Sequence, residues 1–374
     1  MAFNREPAGA NVANTLKEME HKEIIRWLRE NDPQVLEELW TRADDVRKQN
    51  VGDQVHLRGL IEIGNYCIRQ CGYCGLNASR KDIERYRMTR DEILGCVSEA
   101  VEYGYGTVVI QAGEDPGWSG QFIADLVSEI KSTTPLAVTL SLGERSDDEL
   151  RLWRSAGADR YLLRFETSNR RLFERIHPPL PNRASDRQAM LLWMGQLGYE
   201  VGSGVMVGIP GQTYDDLARD VETFARLNLD MIGLGPFIPH PDTPLGAAQP
   251  DPNDQTPASE ELTYRVMALA RLVCPRANIP STSALATLNL AEGRELGLSR
   301  GANVVMPNLT PQKYRPMYEI YPAKACIQET AKQCRACMRG RIESLGRTVG
   351  DGSGASPNYT ARHAQESGDA TCVR

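Results

Sequence analysis

The sequence predicts an α/β fold, a (β/α)8 TIM-type barrel with N-terminal helices before it and a flexible C-terminal tail after it. Short apolar runs rich in β-branched residues alternate with longer stretches of helical periodicity, which is typical of parallel βαβ units. Eight such runs occur, and eight repeats favour a closed barrel. An open doubly wound sheet remains compatible with the same alternation.

The eight predicted strands lie between residues 57 and 306. They cover residues 57–63, 107–111, 137–142, 161–165, 202–207, 231–235, 279–283 and 303–306. Thr89 and Ser146 each stand three residues before a glutamate at the start of a helical stretch, a spacing that predicts a capping box. Because no long Gly/Pro linker interrupts this region, we expect one domain over residues 51–347.

The two ends of the chain have a different character. Residues 1–50 form a predicted N-terminal helical extension, since apolar residues recur at helical spacing between Glu18 and Lys48 and Asn31-Asp32-Pro33 marks a break. Residues 348–374 form a predicted flexible tail, because from residue 350 onward Gly, Ser, Asp and Thr dominate.

Composition limits the class of function. Of the 374 residues 41% are hydrophobic and 25% charged, so the chain can bury a sizeable core. The formal net charge is -6 and no block of Lys and Arg stands out, which argues against nucleic acid as a partner. The polar N-terminus and the lack of an apolar run near 18 residues predict neither signal peptide nor membrane span, and hence a cytoplasmic protein.

Six of the nine cysteines fall into two tight groups. The first is Cys67, Cys71 and Cys74, a C-x3-C-x2-C triplet directly after the first predicted strand. Three thiolates on one loop suit an iron–sulfur cluster, and in a [4Fe–4S] cubane they would leave one iron open to a chelating ligand. The alternative is a zinc site, but zinc requires four ligands and no fourth Cys or His lies nearby.

The second group is Cys326, Cys334 and Cys337, in a C-x7-C-x2-C pattern. This spacing also suits an iron–sulfur cluster, either [2Fe–2S] or [4Fe–4S], and a zinc site with a distant or solvent ligand remains an alternative. The scattered Cys96, Cys274 and Cys372 we interpret as two core residues and a tail thiol.

The first triplet, with Tyr73 before its last cysteine, resembles the signature of the radical S-adenosylmethionine (SAM) superfamily. Further segments resemble the HydE family, the radical SAM maturases of [FeFe]-hydrogenase, from about residue 51 to residue 347. These segments are residues 65–76, 85–88, 111–116, 139–144, 206–213 and 235–241. Methylornithine synthase and biotin synthase are similar as well. Biotin synthase is disfavoured because its sulfur-donating cluster needs cysteines on later strands, and none lies between Cys96 and Cys274.

The resemblance implies a full or partial α/β barrel that binds SAM at the open iron of a [4Fe–4S] cluster and cleaves it reductively to a 5′-deoxyadenosyl radical. It assigns SAM binding to Tyr73, Ala112, Gly113, Glu114, Ser141, Glu166 and Arg187. The sequence reads Ala-Gly-Glu at residues 112–114, where the family has Gly-Gly-Glu. Ordinary ion pairing is the alternative role for Glu166 and Arg187.

The resemblance also implies a substrate cavity. Its members would be Gln111, Thr139, Arg164, Thr282, Ser283, Met306, Tyr318 and Tyr321. Arg164 ends a strand that is otherwise fit for burial, and a buried guanidinium needs an acidic partner or an anionic ligand. Glu166 could be that partner, so a structural role for Arg164 remains open.

The function implied is assembly of the diiron subcluster of the hydrogenase active site (the H-cluster), on an iron–carbonyl–cyanide synthon bearing cysteine. The implied partners are other hydrogenase maturases and reduced ferredoxin or flavodoxin as electron donor, and the second cluster would be accessory. One alternative is an amino-acid mutase of the methylornithine synthase type, and another is a non-catalytic cluster carrier. The expected cavity favours the maturase because, apart from Glu166, it offers no carboxylate for a diamino acid's second ammonium.

Overall fold

The computed structural model describes residues 19–181, 183–248 and 254–369. Its strands are β1 (Gln54–Gly64), β2 (Thr107–Ala112), β3 (Ala137–Ser141), β4 (Arg160–Leu162), β5 (Glu200–Val207), β6 (Met231–Pro236), β7 (Val304–Val305) and β8 (Thr348–Val349). Seven of them form a curled parallel sheet in the order β6-β5-β4-β3-β2-β1-β7, and β8 also pairs with β1. The alternation of strand and helix is therefore confirmed.

Helices connect and flank the strands. They are α1 (His21–Arg29), α2 (Pro33–Val51), α3 (Arg90–Glu102), α4 (Gly120–Thr133), α5 (Asp147–Ser155), α6 (Arg170–Ile176), α7 (Arg187–Gln196), α8 (Tyr214–Arg226), α9 (Glu260–Val273), α10 (Ser283–Leu288), α11 (Gly293–Ser299), α12 (Ala331–Ser344) and α13 (Pro357–Asp369). Both predicted capping boxes are present, Thr89 with Glu92 and Ser146 with Glu149. Among the described residues, no helix combines the length and the apolar character needed to cross a membrane.

Strand register places the site residues side by side. In the β1–β2 ladder Glu62 lies opposite Gln111, and in the β2–β3 ladder Gln111 lies opposite Ser141. Because the strands are parallel, the loops that follow them meet at one edge of the sheet, as they do in α/β barrels. The cysteine triplet, the 112–114 turn and the segment after β3 are consequently neighbours.

The prediction of a complete (β/α)8 barrel is confirmed only as far as a curled parallel sheet with flanking helices. The seventh predicted strand, residues 279–283, is not a strand: Asn278 and Pro280 make single bridges to Met231 and Val304. Pro280 has no backbone N–H to donate to a ladder, and Ser283 already begins α10. Continuous pairing between β6 and β7 is therefore interrupted.

The prediction of a flexible tail over residues 348–374 is wrong for the described part of that segment. Strand β8 pairs with β1. The carbonyl of Ser353 accepts from Arg160 Nη2 at 2.9 Å, and Arg362 on α13 binds Asp230 at 2.6 Å. Glycine lets this segment lie close to the residues that precede β2, since a Cβ on Gly106 would lie 1.5 Å from the carbonyl oxygen of Gly352.

The described part of the predicted N-terminal extension contains α1 and α2. They are separated at the predicted break, where Asp32 caps α2 by accepting from Gln34 N. Residues 1–18 and 370–374, which belong to the predicted extension and tail, lie outside the described residues.

Candidate active site

The cysteine triplet lies on the loop after β1, which we call the cluster loop (residues 66–77). Its backbone is tied to other elements: Ile68 N donates to Glu114 O at 2.9 Å, and Gly72 N donates to the carbonyl at the end of α6. Two backbone amides point at sulfur, from Arg69 to Cys67 Sγ and from Leu76 to Cys74 Sγ, both at 3.4 Å. N–H donors to sulfur tune iron–sulfur clusters, so the loop suits thiolate ligands.

Burial governs the protonation of these thiols. Desolvation raises the pKa of the Cys67 and Cys71 thiols and raises that of Cys74 to about 12, so metal binding must displace protons. Across the described residues, no three Cys, His, Asp or Glu side chains are grouped as they would be around a single metal ion. A cubane does not require such a group, because each thiolate binds a different iron.

Gly113 allows the turn after β2 to lie against the cluster loop. A Cβ at this position would lie 2.3 Å from Tyr66 O and 2.8 Å from the Cys67 Cβ, closer than real contacts allow. The neighbouring Glu114 carboxylate is already occupied, since it accepts from Arg69 Nε and from Glu144 N, both at 2.9 Å. A ligand that contacts the turn at residues 112–114 would therefore bind to its backbone and not to the Glu114 carboxylate.

Beneath the cluster loop lies a buried ionic network of Arg69, Glu114, Glu144 and Arg187. Glu144 accepts from Arg69 Nη2 at 2.7 Å and from Arg187 Nε at 2.9 Å. Although burial opposes it, Arg187 and Arg69 hold the pKa of Glu144 below its ordinary value. Arg187, which the resemblance assigns to SAM, is thus bound to Glu144 in this structure. Sequence reasoning missed Arg69 and Glu144, although Arg69 stands inside the cysteine triplet.

Glu166 faces the cluster loop from the end of β4. The Tyr73 hydroxyl lies 3.4 Å from Glu166 Oε1, and Arg164 Nη2 lies 3.0 Å from Oε2 in an ion pair without hydrogen-bond geometry. Glu166 Oε2 is buried and has no hydrogen-bond partner among the described residues, so it can accept from a hydroxyl or an ammonium. The φ of Glu166 is 61°, a left-handed conformation that is uncommon outside glycine and clusters at functional sites.

Inside the curled sheet is a cavity of about 150 Å³. Seven of the eight predicted substrate residues line it: Gln111, Thr139, Arg164, Thr282, Ser283, Met306 and Tyr321. The eighth, Tyr318, accepts from Gln111 Nε2 at 3.2 Å. The sequence therefore located residues that the fold brings together, and their substrate roles remain a prediction.

Several polar atoms of this cavity lack partners within the part of the chain that the structure describes. They are Thr139 Oγ1, Thr282 Oγ1, Arg164 Nε and Arg58 Nε. Native proteins pair nearly all buried polar groups, so such atoms indicate a missing ligand or water. The side chains of this cavity therefore have unused capacity to donate hydrogen bonds.

The cavity also contains charged residues that the sequence analysis did not include, Arg58, Glu62 and Lys324. Glu62 corrects the expectation that Glu166 is the sole carboxylate. A signal was available, because Glu62 interrupts an apolar strand between Ile61 and Ile63, and such a buried charge needs a partner. The partner is Lys324, 262 residues away along the chain.

The second cysteine group lies in the first turns of α12 and in the segment before it. Cys334 is buried, Cys326 is half-buried and Cys337 is exposed. A hydrogen bond from Cys334 and the nearby Arg294 guanidinium lower the pKa of the Cys326 thiol. A thiolate at neutral pH is the form that binds soft metals, so this environment suits a metal ligand.

Comparison with known proteins adds a family-level match. Residues 61–235 match the profile of the Radical SAM superfamily. The chain is 45% identical over 340 residues to the [FeFe] hydrogenase maturase subunit HydE of Thermotoga maritima, covering 90% of this chain and 94% of the relative. It is 28% identical over 316 residues to the 3-methylornithine synthase of Methanosarcina barkeri, covering 83% and 85% respectively.

Solved structures agree on the fold. The crystal structure of methylornithine synthase (PylB) superposes with a TM-score of 0.74 at 24% identity, covering 89% of this chain and 94% of that one. The [FeFe]-hydrogenase maturase HydG superposes with a TM-score of 0.71 at 18% identity, covering 89% and 72% respectively. At these identities the likeness concerns the fold alone.

Proposed function

The chain belongs to the HydE family of radical SAM enzymes, and on that premise we propose that it is a maturase of [FeFe]-hydrogenase. Its role would be in assembly of the diiron subcluster of the hydrogenase active site. The 45% identity to HydE extends over 94% of that relative, which supports a shared activity. The cavity beside the cluster loop is the structural observation that carries the proposal.

The cofactors would be a [4Fe–4S] cluster and SAM. When bound, they supply the reductive cleavage of the SAM sulfonium that yields a 5′-deoxyadenosyl radical. Cys67, Cys71 and Cys74 would hold the cluster, and their soft sulfur donors, one buried and two partly buried, fit it. The residues that would hold SAM are Tyr73, Ser141, Glu166, Arg187 and the backbone of Ala112, Gly113 and Glu114.

Glu166 has the clearest part in that SAM site. Its Oε2 has no hydrogen-bond partner in the described part of the chain and can accept from a ribose hydroxyl or from the ammonium of SAM. Arg187 would help to hold SAM by positioning the backbone beside it. Its Nη1 donates to Arg164 O at 2.6 Å, which fixes the backbone between the SAM site and the substrate cavity.

The proposed substrate is an iron–carbonyl–cyanide complex bearing cysteine, which is anionic overall. Three cationic side chains line the cavity (Arg58, Arg164 and Lys324) against one carboxylate, Glu62. Two threonine hydroxyls that find no hydrogen-bond partner within residues 19–181, 183–248 and 254–369 supply neutral donors, and Met306 supplies a polarisable apolar wall. Lys324 pairs with Glu62 and Arg164 pairs with Glu166, whereas Arg58 shares Glu200 with Arg160. The positive charge left by that sharing supports an anionic ligand, because a buried charge requires compensation.

We also propose an electron donor, protein partners, a second cluster and a cellular location. Reduced ferredoxin or flavodoxin would deliver the electron to the cluster loop, where the Tyr66 and Ile68 side chains are 38% and 37% exposed and leave it accessible. Other hydrogenase maturases would be its partners, the second cysteine group would hold an accessory iron–sulfur cluster, and the protein would act in the cytoplasm.

Two assays on anaerobically reconstituted protein test the proposal. Under dithionite the protein should cleave SAM to 5′-deoxyadenosine and methionine, and Cys71→Ala should abolish this cleavage. It should also support in vitro maturation of apo-hydrogenase with the partner maturases present. Turnover of L-lysine to methylornithine without any maturation activity would instead assign the chain to the mutase function.

A further inference from the structure

Glu62 and Tyr318 form a receptor for an ammonium group, and the side chain of Lys324 occupies it. Glu62 is 1% exposed and Lys324 is 6% exposed, and Lys324 Nζ donates directly to Glu62 Oε1. The same Nζ lies 5.0 Å from the centroid of the Tyr318 ring. A carboxylate together with an aromatic face is the usual environment for a buried organic cation.

The two sides of this pair are held in place independently. On the receptor side, Glu62 Oε2 accepts from Asn308 Nδ2 at 3.1 Å, and the Tyr318 hydroxyl accepts from Gln111. On the lysine side, the backbone of the next residue is anchored, since Ala325 N donates to Thr287 Oγ1 at 2.9 Å. The receptor residues lie in the sheet and in the loops around it, whereas Lys324, which supplies the ammonium, lies on the segment before α12.

With this ion pair formed, the described residues that line the cavity offer no free carboxylate for a second ammonium. Glu62 is neutralised by Lys324, and Glu166 lies 3.0 Å from Arg164. Arg58 shares a single carboxylate, Glu200 at 4.0 Å, with Arg160, so this group keeps a net positive charge. A ligand with two ammonium groups would therefore meet a cavity whose unpaired charge is positive.

We propose that Lys324 determines specificity by occupying the ammonium site of Glu62 and Tyr318, so that the cavity rejects diamino acids and accepts anionic ligands with at most one ammonium. This inference rests on the proposed use of the cavity as the substrate site. It assigns a role to two residues outside the expected substrate set. It also gives a physical reason why this chain and a lysine mutase can share a fold and differ in substrate.

The test is ligand binding to the reconstituted full chain, measured by calorimetry with L-ornithine as the probe. Lys324→Ala should bind L-ornithine at least about tenfold more tightly than the wild type, the change expected for one charge-assisted hydrogen bond in a buried site. The double variant Lys324→Ala/Glu62→Gln should lose that gain, because the receptor carboxylate is gone. A folded Lys324→Ala without the gain, or a gain that persists in the double variant, would overturn the inference.

A second measurement covers the case of an unstable variant, since Lys324→Ala leaves a buried carboxylate unpaired. Adding n-propylammonium should raise the Tm of Lys324→Ala, whereas the neutral n-propanol should not. Failure of n-propylammonium to stabilise the variant would contradict the proposed receptor. Both readouts are independent of hydrogenase maturation, so failure of the proposed function and failure of this inference are distinguishable.

Discussion

The Arg69 guanidinium donates through Nε to Glu114 Oε1 at 2.9 Å, and the two side chains are 2% and 5% exposed. This contact joins the middle of the cysteine triplet to the turn after β2. Through Glu144 it extends to Arg187 on α7, so one charge network links the cluster loop to the ends of β2 and β3.

Removing this anchor should destabilise the protein. Arg69→Met leaves two buried carboxylates short of a partner, and we expect the free energy of unfolding to fall by roughly 3 to 5 kcal/mol. Iron retention should fall with it. Urea unfolding and iron analysis measure both effects. The control is Arg170→Met, because Arg170 pairs with Glu174 while 54% exposed and should change stability by less than about 1 kcal/mol. Equal effects of the two variants would refute the anchoring role.

Gly113→Ala should disturb cluster binding without removing any ligand. The added Cβ would collide with Tyr66 O and Cys67 Cβ, so the cluster loop must shift away from its present position. We expect the reconstituted variant to hold markedly less iron at the first site. The matched control is Gly95→Ala in α3, where a Cβ meets nothing within 4 Å and helix propensity favours alanine by about 1 kcal/mol. Normal iron content in Gly113→Ala would contradict this.

The candidate site could be predicted from the sequence because its motifs are local. The cysteine spacings, the capping boxes and the strand-end motifs are each contained in a few consecutive residues. The Glu62–Lys324 pair is not, since its partners are 262 residues apart and only the folded chain brings them together. Glu62 could be suspected from its apolar neighbours, but its partner could not.

The two errors in the predicted fold have different physical origins. Residues 279–283 have a strand-like composition, yet Pro280 cannot donate and α10 begins at Ser283. The tail has a disorder-like composition, yet Ser353 and Gly354 accept hydrogen bonds from Arg160 and Arg58 of the sheet. In both cases long-range contacts or a single missing donor outweigh local composition.

Asp220 on α8 should make stability depend on pH. It is fully buried, and burial raises the pKa of its carboxyl to about 7 from an ordinary 3.8. The folded state therefore favours the protonated carboxyl of Asp220. The stabilisation of the fold by this protonated group is fully present below about pH 4 and is lost as the pH rises through about 7. The shift in the pKa corresponds to a change of about 4 kcal/mol in the free energy of unfolding.

Asp220→Asn should flatten this dependence, because the amide does not titrate. Urea unfolding between pH 5 and pH 8 measures the slope for both proteins, and Asp82→Asn, at a surface position, is the control variant. If the wild type and Asp220→Asn lost stability in parallel over this range, another group would be responsible.

The second cysteine group should bind metal independently of the first. Replacing Cys326, Cys334 and Cys337 with Ala should lower the iron content while SAM cleavage stays near the wild-type rate, because these residues lie on α12 and the segment before it and not on the cluster loop. Iron analysis and a 5′-deoxyadenosine assay give the two readouts. A folded triple variant that no longer cleaves SAM would show that the group is not accessory.

Arg164 provides the most direct test of the central claim, that the cavity binds an anionic substrate during hydrogenase maturation. The measurement is in vitro maturation of apo-hydrogenase by Arg164→Leu, alongside equilibrium binding of SAM and the charge-retaining control Arg164→Lys. We predict that Arg164→Leu lowers hydrogenase activation by at least about tenfold, the effect of losing a charged hydrogen-bond donor whose side chain is 34% exposed, while SAM still binds. Arg164→Lys should retain part of the activity. Wild-type maturation by Arg164→Leu would contradict the account.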